Sequence, residues 1–161
     1  MPGPLATVPK VDLDKYLGKW FEIAAFPQRF ENHGENGGYV TANYALKKDG
    51  TIEVVNTMRV GSKDGKEKVS RGRAYVADKA SSNAKLRVSF FRPFYGDYWI
   101  LDLGENENGS QYSYSLVGAP NRKFLWILSR TPSLNDATVE KLKAKAKELG
   151  FDVTKLKMTK Q

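Results

Sequence analysis

From Trp20 onward, apolar residues recur at every second position in short runs, and each run stops at residues that favour turns. In the first run Trp20, Glu22, Ala24 and Phe26 fall on one face, and Phe21, Ile23 and Ala25 on the other. Both faces are mainly apolar, which predicts a strand covered on both sides and ended by Pro27. The same pattern predicts strands at 38–47, 51–60, 67–77, 84–91, 97–103, 111–118 and 123–130. The joints carry Asp49-Gly50, Asp64-Gly65, the run from Asn106 to Gly109, and Asn121-Arg122. These residue types accept the tight backbone of hairpin turns. Consecutive hairpin-linked strands with no helix between them close into an up-and-down antiparallel barrel or stack as a sandwich.

The flanks read differently. Residues 1–11 hold three of the seven prolines and no periodicity, so they are expected to form an extended arm. Residues 12–161 then make one domain, long enough to bury its own core. Asp12 is placed to cap one helical turn reaching Leu17. Residues 28–37 are polar and glycine-bearing, as a long loop would be. One long helix is expected between Thr131 and Gly150, capped by Ser133 or Asn135. Its narrow stripe of Val139, Leu142, Ala146 and Leu149, with Lys141, Lys143, Lys145 and Lys147 to the sides, predicts a helix laid on a larger body. The tail at 153–159 is expected to return as a short strand.

Several kinds of chemistry lack their residues. There is no cysteine, hence no disulfide, thiolate metal site or cysteine nucleophile. The sole histidine, His33, stands in the polar loop, so neither a metal site nor a serine-type triad is expected. No phosphate loop or dinucleotide fingerprint occurs, and no cofactor is expected. Glu22 and Asp102 are expected to face inward, with Arg130 as a structural ion-pair partner. The competing reading is acid–base catalysis by those carboxylates on a lipophilic substrate. The formal charge of +8 suits solubility or an anionic partner. The aromatics alternate within strands instead of clustering on an exposed basic sheet, which argues against nucleic acid. No apolar run approaches the roughly 18 residues of a membrane span, and the first residues lack the apolar core of a signal peptide.

An eight-stranded barrel is near the width at which the interior can hold one small ligand. By alternation, the inward candidates are Tyr44 with Ala42 and Leu46; Ile52, Val54, Asn56 and Met58; Gly72, Ala74 and Val76; Leu86, Val88 and Phe90; Tyr98 and Ile100; and Trp126 and Leu128. Small apolar side chains, a few large aromatics and a few polar tips are the usual lining of an apolar ligand pocket.

Three motifs sharpen this reading. Gly18-Lys19-Trp20, the run from Gly96 to Leu101, and the run from Phe124 to Pro132 with Arg130 inside it resemble, in order, the three signatures of the lipocalin family. The resemblance covers nearly the whole chain. It is strongest to the group of apolipoprotein D, bacterial lipocalins and plant temperature-induced lipocalins, through residues 16–31, 85–101 and 124–132. It implies an eight-stranded antiparallel up-and-down barrel with one open end and the C-terminal helix packed outside. It also implies non-catalytic binding, storage or transport of a fatty acid or lysophospholipid, with links to membrane maintenance and stress. The pocket of the related apolipoprotein matches Tyr44, Asn56, Phe90, Tyr98 and Trp126. The full expected lining is Ala24, Phe26, Tyr44, Val54, Asn56, Met58, Ala74, Val88, Phe90, Tyr98, Trp126 and Leu128. Trp20 is expected to plug the narrow end, with Arg130 over its indole face and Gly18 letting the preceding turn cross beneath. Arg29 and Arg92 are the expected contacts for an anionic head.

Other readings remain: a bilin, retinoid or sterol-like ligand, an enzyme acting through Glu22 or Asp102, or a membrane-surface adaptor using the lysine-rich helix. The expected partners are a small lipophilic ligand and, peripherally, an anionic membrane. The rim aromatics Phe30, Phe94 and Tyr95 suit a monomer or weak homodimer. The expected location is periplasmic or outer-membrane-associated in a bacterium, and otherwise secreted or membrane-peripheral. The lipidated cysteine of bacterial members, the apolipoprotein's disulfide cysteines and the cysteine of the prostaglandin synthase branch are all missing.

Overall fold

The alternating runs pair into a sheet that returns to its own first strand. The computed structural model describes residues 3–27, 37–91 and 94–161. Their elements are α1 (Leu13–Tyr16), β1 (Gly18–Ala25), β2 (Gly37–Leu46), β3 (Ile52–Val60), β4 (Glu67–Val76), β5 (Lys85–Phe91), β6 (Phe94–Glu105), β7 (Tyr112–Gly118), β8 (Leu125–Ser129), α2 (Asp136–Glu148) and β9 (Lys157–Met158). The pairing order runs β2-β3-β4-β5-β6-β7-β8-β1, and β1 pairs again with β2, closing an eight-stranded antiparallel barrel. The readings placed on Arg29, Phe30, His33 and Arg92 lie outside the described residues, as do the side chains of Phe94 and Tyr95.

The turn chemistry works as expected. The Asp49 carboxylate accepts from the Thr51 backbone N–H and hydroxyl at 2.9 and 2.6 Å, and Gly50 takes φ 88°. Asp12 caps α1 through the Asp14 N–H. Asn135, not Ser133, caps α2, accepting from the Thr138 N–H at 2.8 Å. The arm has no regular structure from Pro4 to Asp12 apart from bends, yet it is packed: Leu5 and Val11 are buried, and the Val8 N–H donates to Ile100 at 3.0 Å.

Two apolar clusters lie on opposite faces of the wall. The inner one contains Trp20, Tyr44, Val54, Ala74, Leu86, Ile100, Val117 and Leu128. The outer one joins Ile23, Leu101, Leu116, Leu125 and Ile127 to Val139, Leu142 and Ala146 of α2 and to Phe151. Burying one such large side chain contributes about 1.5–3 kcal/mol, so the stripe on α2 suffices to hold it to the wall. The fit is close: a Cβ on Gly118 would lie 2.7 Å from the Phe151 ring.

Bulges decide which face some residues take. In β1 the register slips between Glu22 and Ala24, so that Glu22 stands opposite Leu128, Ala24 opposite Ile127 and Ala25 opposite Trp126. The extra residue inverts the alternation. Ala24 and Phe26 therefore belong to the outer cluster, with the Phe26 ring 6.3 Å from that of Phe151. Their expected place in the ligand lining is corrected by this slip. A second slip, between Ile100 and Asp102 in β6, sets Asp102 opposite outward-facing Leu116. Asp102 thus faces the helix side, where it and, more strongly, Tyr114 hold the Lys141 ammonium charged.

The tail completes the wall. β1 and β2 pair only where Gly18–Phe21 meet Thr41–Tyr44, because β2 bulges between Gly38 and Thr41 with Tyr39 at φ 54°. The chain from β9 onward fills the split. The Thr159 N–H donates to Ile23 at 2.9 Å and the Tyr39 N–H to Lys160 at 2.7 Å. The Gln161 amide bridges the Glu22 and Val40 carbonyls at 2.8 and 2.7 Å.

Candidate functional site

The barrel interior divides into a filled floor and a more open upper part. At the floor, α1 crosses the narrow end and sends Tyr16 inward. Trp20 beside it is fully buried, and its indole N–H donates to the Tyr16 carbonyl at 2.8 Å. The Arg130 guanidinium lies 3.8 Å from the centre of the indole ring, a cation–π contact. It also donates to five carbonyls: Tyr112 at 3.0 Å, Lys19 at 2.8 Å, and Lys15, Tyr16 and Leu17 at 3.0 Å each. A rigid fork of N–H donors can serve this many acceptors where a lysine cannot. Gly18, at φ +102°, leaves the space: a Cβ there would lie 3.3 Å from Arg130 Nη1. Burial pulls the guanidinium down to about 10 while the surrounding tyrosines push it up, so it stays charged at neutral pH.

The expected ion pair between Arg130 and Glu22 or Asp102 does not form. Arg130 sits beneath the floor and is taken up by the ends of α1, β1 and β7. Asp102 is turned outward by its bulge, and buried Glu22 accepts from the Thr159 hydroxyl at 2.7 Å.

A chain of buried and half-buried hydroxyls runs across the floor. Tyr44 meets Tyr98 at 2.9 Å, Tyr98 meets Tyr16 at 2.6 Å, and Tyr16 meets Ser115 at 3.0 Å. Burial pushes the Tyr16 phenol up to about 12, and pushes that of Tyr98 well above its ordinary value. These groups are donors and acceptors at any physiological pH. The space left among Leu13, Tyr16, Tyr44, Leu86, Val88 and Tyr98 is about 20 Å³, room for a water at most. The floor is a plug.

Above it the inward faces of the same strands are less buried. Ala42, Asn56 and Ser70 lie side by side across β2, β3 and β4, as do Tyr44, Val54 and Gly72 one step lower. Ala74 pairs with Val88, Leu86 with Tyr98, and Val117 with Trp126. Of the expected lining, Tyr44, Val54, Ala74 and Leu128 are buried toward the floor, half-buried Tyr98 and Val88 border the floor space, and Asn56, Met58, Phe90 and Trp126 are half-buried above it. At the lip, Phe124 and Trp126 stack with ring centres 6.0 Å apart and planes 13° apart. Sequence reasoning missed Tyr16, Ser115 and Val117. Tyr16 lies in a single helical turn without alternation, while the serine and valine could have been found by extending the β7 alternation inward. A wider concavity of about 350 Å³ lies outside the barrel on β2 and β3, along Thr41, Asn43, Val55 and Thr57. It is the polar back of the wall. No group of three His, Cys, Asp or Glu side chains able to hold a metal occurs among the described residues.

Known proteins share this arrangement. A family model described as a lipocalin-like domain matches residues 11–161. Temperature-induced lipocalin-1 of Arabidopsis thaliana is 39% identical over 164 residues, covering 98% of this chain and 83% of the relative. The outer membrane lipoprotein Blc of Escherichia coli K12 is 41% identical over 154 residues, covering 96% and 81%. Apolipoprotein D of Mus musculus is 36% identical over 153 residues, covering 93% and 77%. Among solved structures, insecticyanin from the tobacco hornworm Manduca sexta superposes with a TM-score of 0.72 at 21% identity, covering 100% of this chain and 86% of that one. That likeness speaks for the fold.

Proposed function

The chain belongs to the lipocalin family, whose members bind small hydrophobic ligands, and from that premise we propose that its cup holds one single-chain lipid, a fatty acid or lysophospholipid, without transforming it. The observation that carries this reading is the contrast inside the barrel. Below, the space is filled to about 20 Å³; above, Met58, Phe90 and Trp126 remain partly exposed on an inward face. An acyl chain laid there gains about 0.8 kcal/mol per buried CH2, less the cost of ordering it. A carrier role is favoured over catalysis because the two candidate carboxylates do not meet: Glu22 is engaged with the tail and Asp102 faces outward.

The names of the relatives, an outer membrane lipoprotein and a temperature-induced lipocalin, support work at a membrane and under stress. The proposed partners are the lipid and, peripherally, an anionic membrane, with the chain acting as a monomer or weak dimer. The proposed location is periplasmic or outer-membrane-associated in a bacterium, and otherwise secreted or membrane-peripheral. Titration of delipidated protein with a fatty acid and a lysophospholipid, followed by tryptophan fluorescence, tests the reading. Saturable quenching and a raised Tm are expected. Neither at about tens of micromolar would overturn it. Mass identification of an organic extract separates a lipid from a pigment or sterol.

A further inference from the structure

Inside the mouth of the cup, one wall carries polar groups without partners. β3 and β4 pair without a slip from Ile52↔Ala74 to Arg59↔Glu67. Residues opposite each other in a ladder share a face, and Val54 on that face is buried in the interior cluster. Continuing upward by twos, Asn56 stands beside Ser70, and Met58 beside Lys68. Lys68 and Ser70 are therefore inward-facing, although both are exposed because the β3–β4 wall stands at the open end.

Among the described residues, neither Lys68, Ser70 nor Asn56 makes a side-chain hydrogen bond or ion pair. The outer face of the same wall behaves differently: Arg59 pairs with Glu67 at 2.9 Å, and next along the sheet Arg87 pairs with Asp97 at 3.1 Å. A lysine on an inward face above apolar side chains, with two neutral polar neighbours and no paired carboxylate among the described residues, suits an anion. In the strand order β4 and β8 stand half a turn apart, so the stacked Phe124 and Trp126 face this wall from across the mouth. The mouth is polar and cationic on one side and aromatic on the other.

We propose that Lys68, with Asn56 and Ser70, binds the anionic head of a single-chain lipid. The head lies against the β3–β4 wall and the acyl chain descends past Met58 and Val88. This rests on the lipid reading above and adds to it the residues that hold the head: its carboxylate or phosphate accepts a charge-assisted hydrogen bond from the ammonium. The aromatic wall covers the first methylenes.

Affinities of the full-length delipidated protein for oleic acid, oleoyl lysophosphatidic acid and oleyl alcohol test it, in the wild type, Lys68→Met and Lys123→Met. Lys68→Met keeps the apolar stem, and Lys123→Met removes the same charge from the loop on the opposite side. Loss of one partly solvated charge-assisted contact predicts about tenfold weaker binding of the acids to Lys68→Met. Oleyl alcohol should be within about twofold of wild type, and Lys123→Met should leave all three unchanged. The acid losing more identifies carboxylate or phosphate as the preferred head. Equal losses for acid and alcohol, no loss at all, or an equal loss in Lys123→Met would each overturn the site. If the wild type binds none of the three, the lipid reading falls and takes this one with it. If it binds all three and Lys68→Met matches it, only this one falls.

Discussion

The two ends of this barrel are built from the same strands yet obey opposite rules. At the floor polar groups are matched: Arg130 serves five carbonyls, and Tyr44, Tyr98, Tyr16 and Ser115 hand one another their hydroxyls. At the mouth, Asn56, Lys68 and Ser70 have no side-chain partner among the described residues, and Phe124 and Trp126 are only partly buried. A buried polar group left unmatched costs about 1–3 kcal/mol, so the dry end must satisfy itself. Polar groups at a solvent-exposed mouth can be met by water instead. On the proposed reading, stability is concentrated at one end and ligand choice at the other.

The separation can be broken most severely at Trp20. Trp20→Ala should lower unfolding free energy by about 3–5 kcal/mol, measured by denaturant unfolding, while the ranking of ligands is kept. Collapse of affinity at an unchanged Tm would show that the plug is part of the cup. A smaller test lies at the middle of the hydroxyl chain. Tyr98→Phe should cost about 1–2 kcal/mol, because it leaves the Tyr16 and Tyr44 hydroxyls each one partner short.

The same chain has a pH signature. Tyr16, held up to about 12, and Tyr98, pushed well above its ordinary value, should give no tyrosinate absorbance until well after the exposed tyrosines have titrated. Because both folded-state values are raised, their contribution to stability is complete below the ordinary tyrosine range, about pH 10. It drains away as pH climbs through the folded values. Early ionisation of all eight tyrosines in the folded protein would contradict the enclosed floor. The smallest stability effect is expected at the mouth. Trp126→Ala should shift unfolding free energy by less than about 1–2 kcal/mol, since the ring is only half-buried, yet weaken lipid binding. A large loss of stability there would erase the distinction between the ends.

Much of this was legible in the chain, for identifiable reasons. A period of two bounded by Asp49-Gly50 and similar pairs leaves few folds besides a meander. Val54, Ala74 and Leu128 can be set inside because β3, β4 and β8 carry no slip of their own, and Val88 because it precedes the slip in β5. For Ala24, Phe26 and Asp102 simple alternation points to the wrong face, because a bulge inverts everything beyond it. In β1 the run Ile23-Ala24-Ala25-Phe26 is apolar on both faces, so the slip leaves no mark in the pattern. Arg130 was assigned a carboxylate because charge pairing is the simplest guess for a buried guanidinium. Its real acceptors are carbonyls, and every residue has one, so no sequence pattern announces them.

The sequence by itself determined the meander, the capped outer helix, the family signatures and the apolar character of both faces of the wall, because these follow from periodicity and turn chemistry within a few residues. Tertiary structure alone decided which face is inside after each bulge, that the tail fills the split between β1 and β2, and that Lys68 shares the interior with Asn56 and Met58. Those depend on register between distant strands, and a slip of one residue exchanges inside for outside without altering a letter of the sequence.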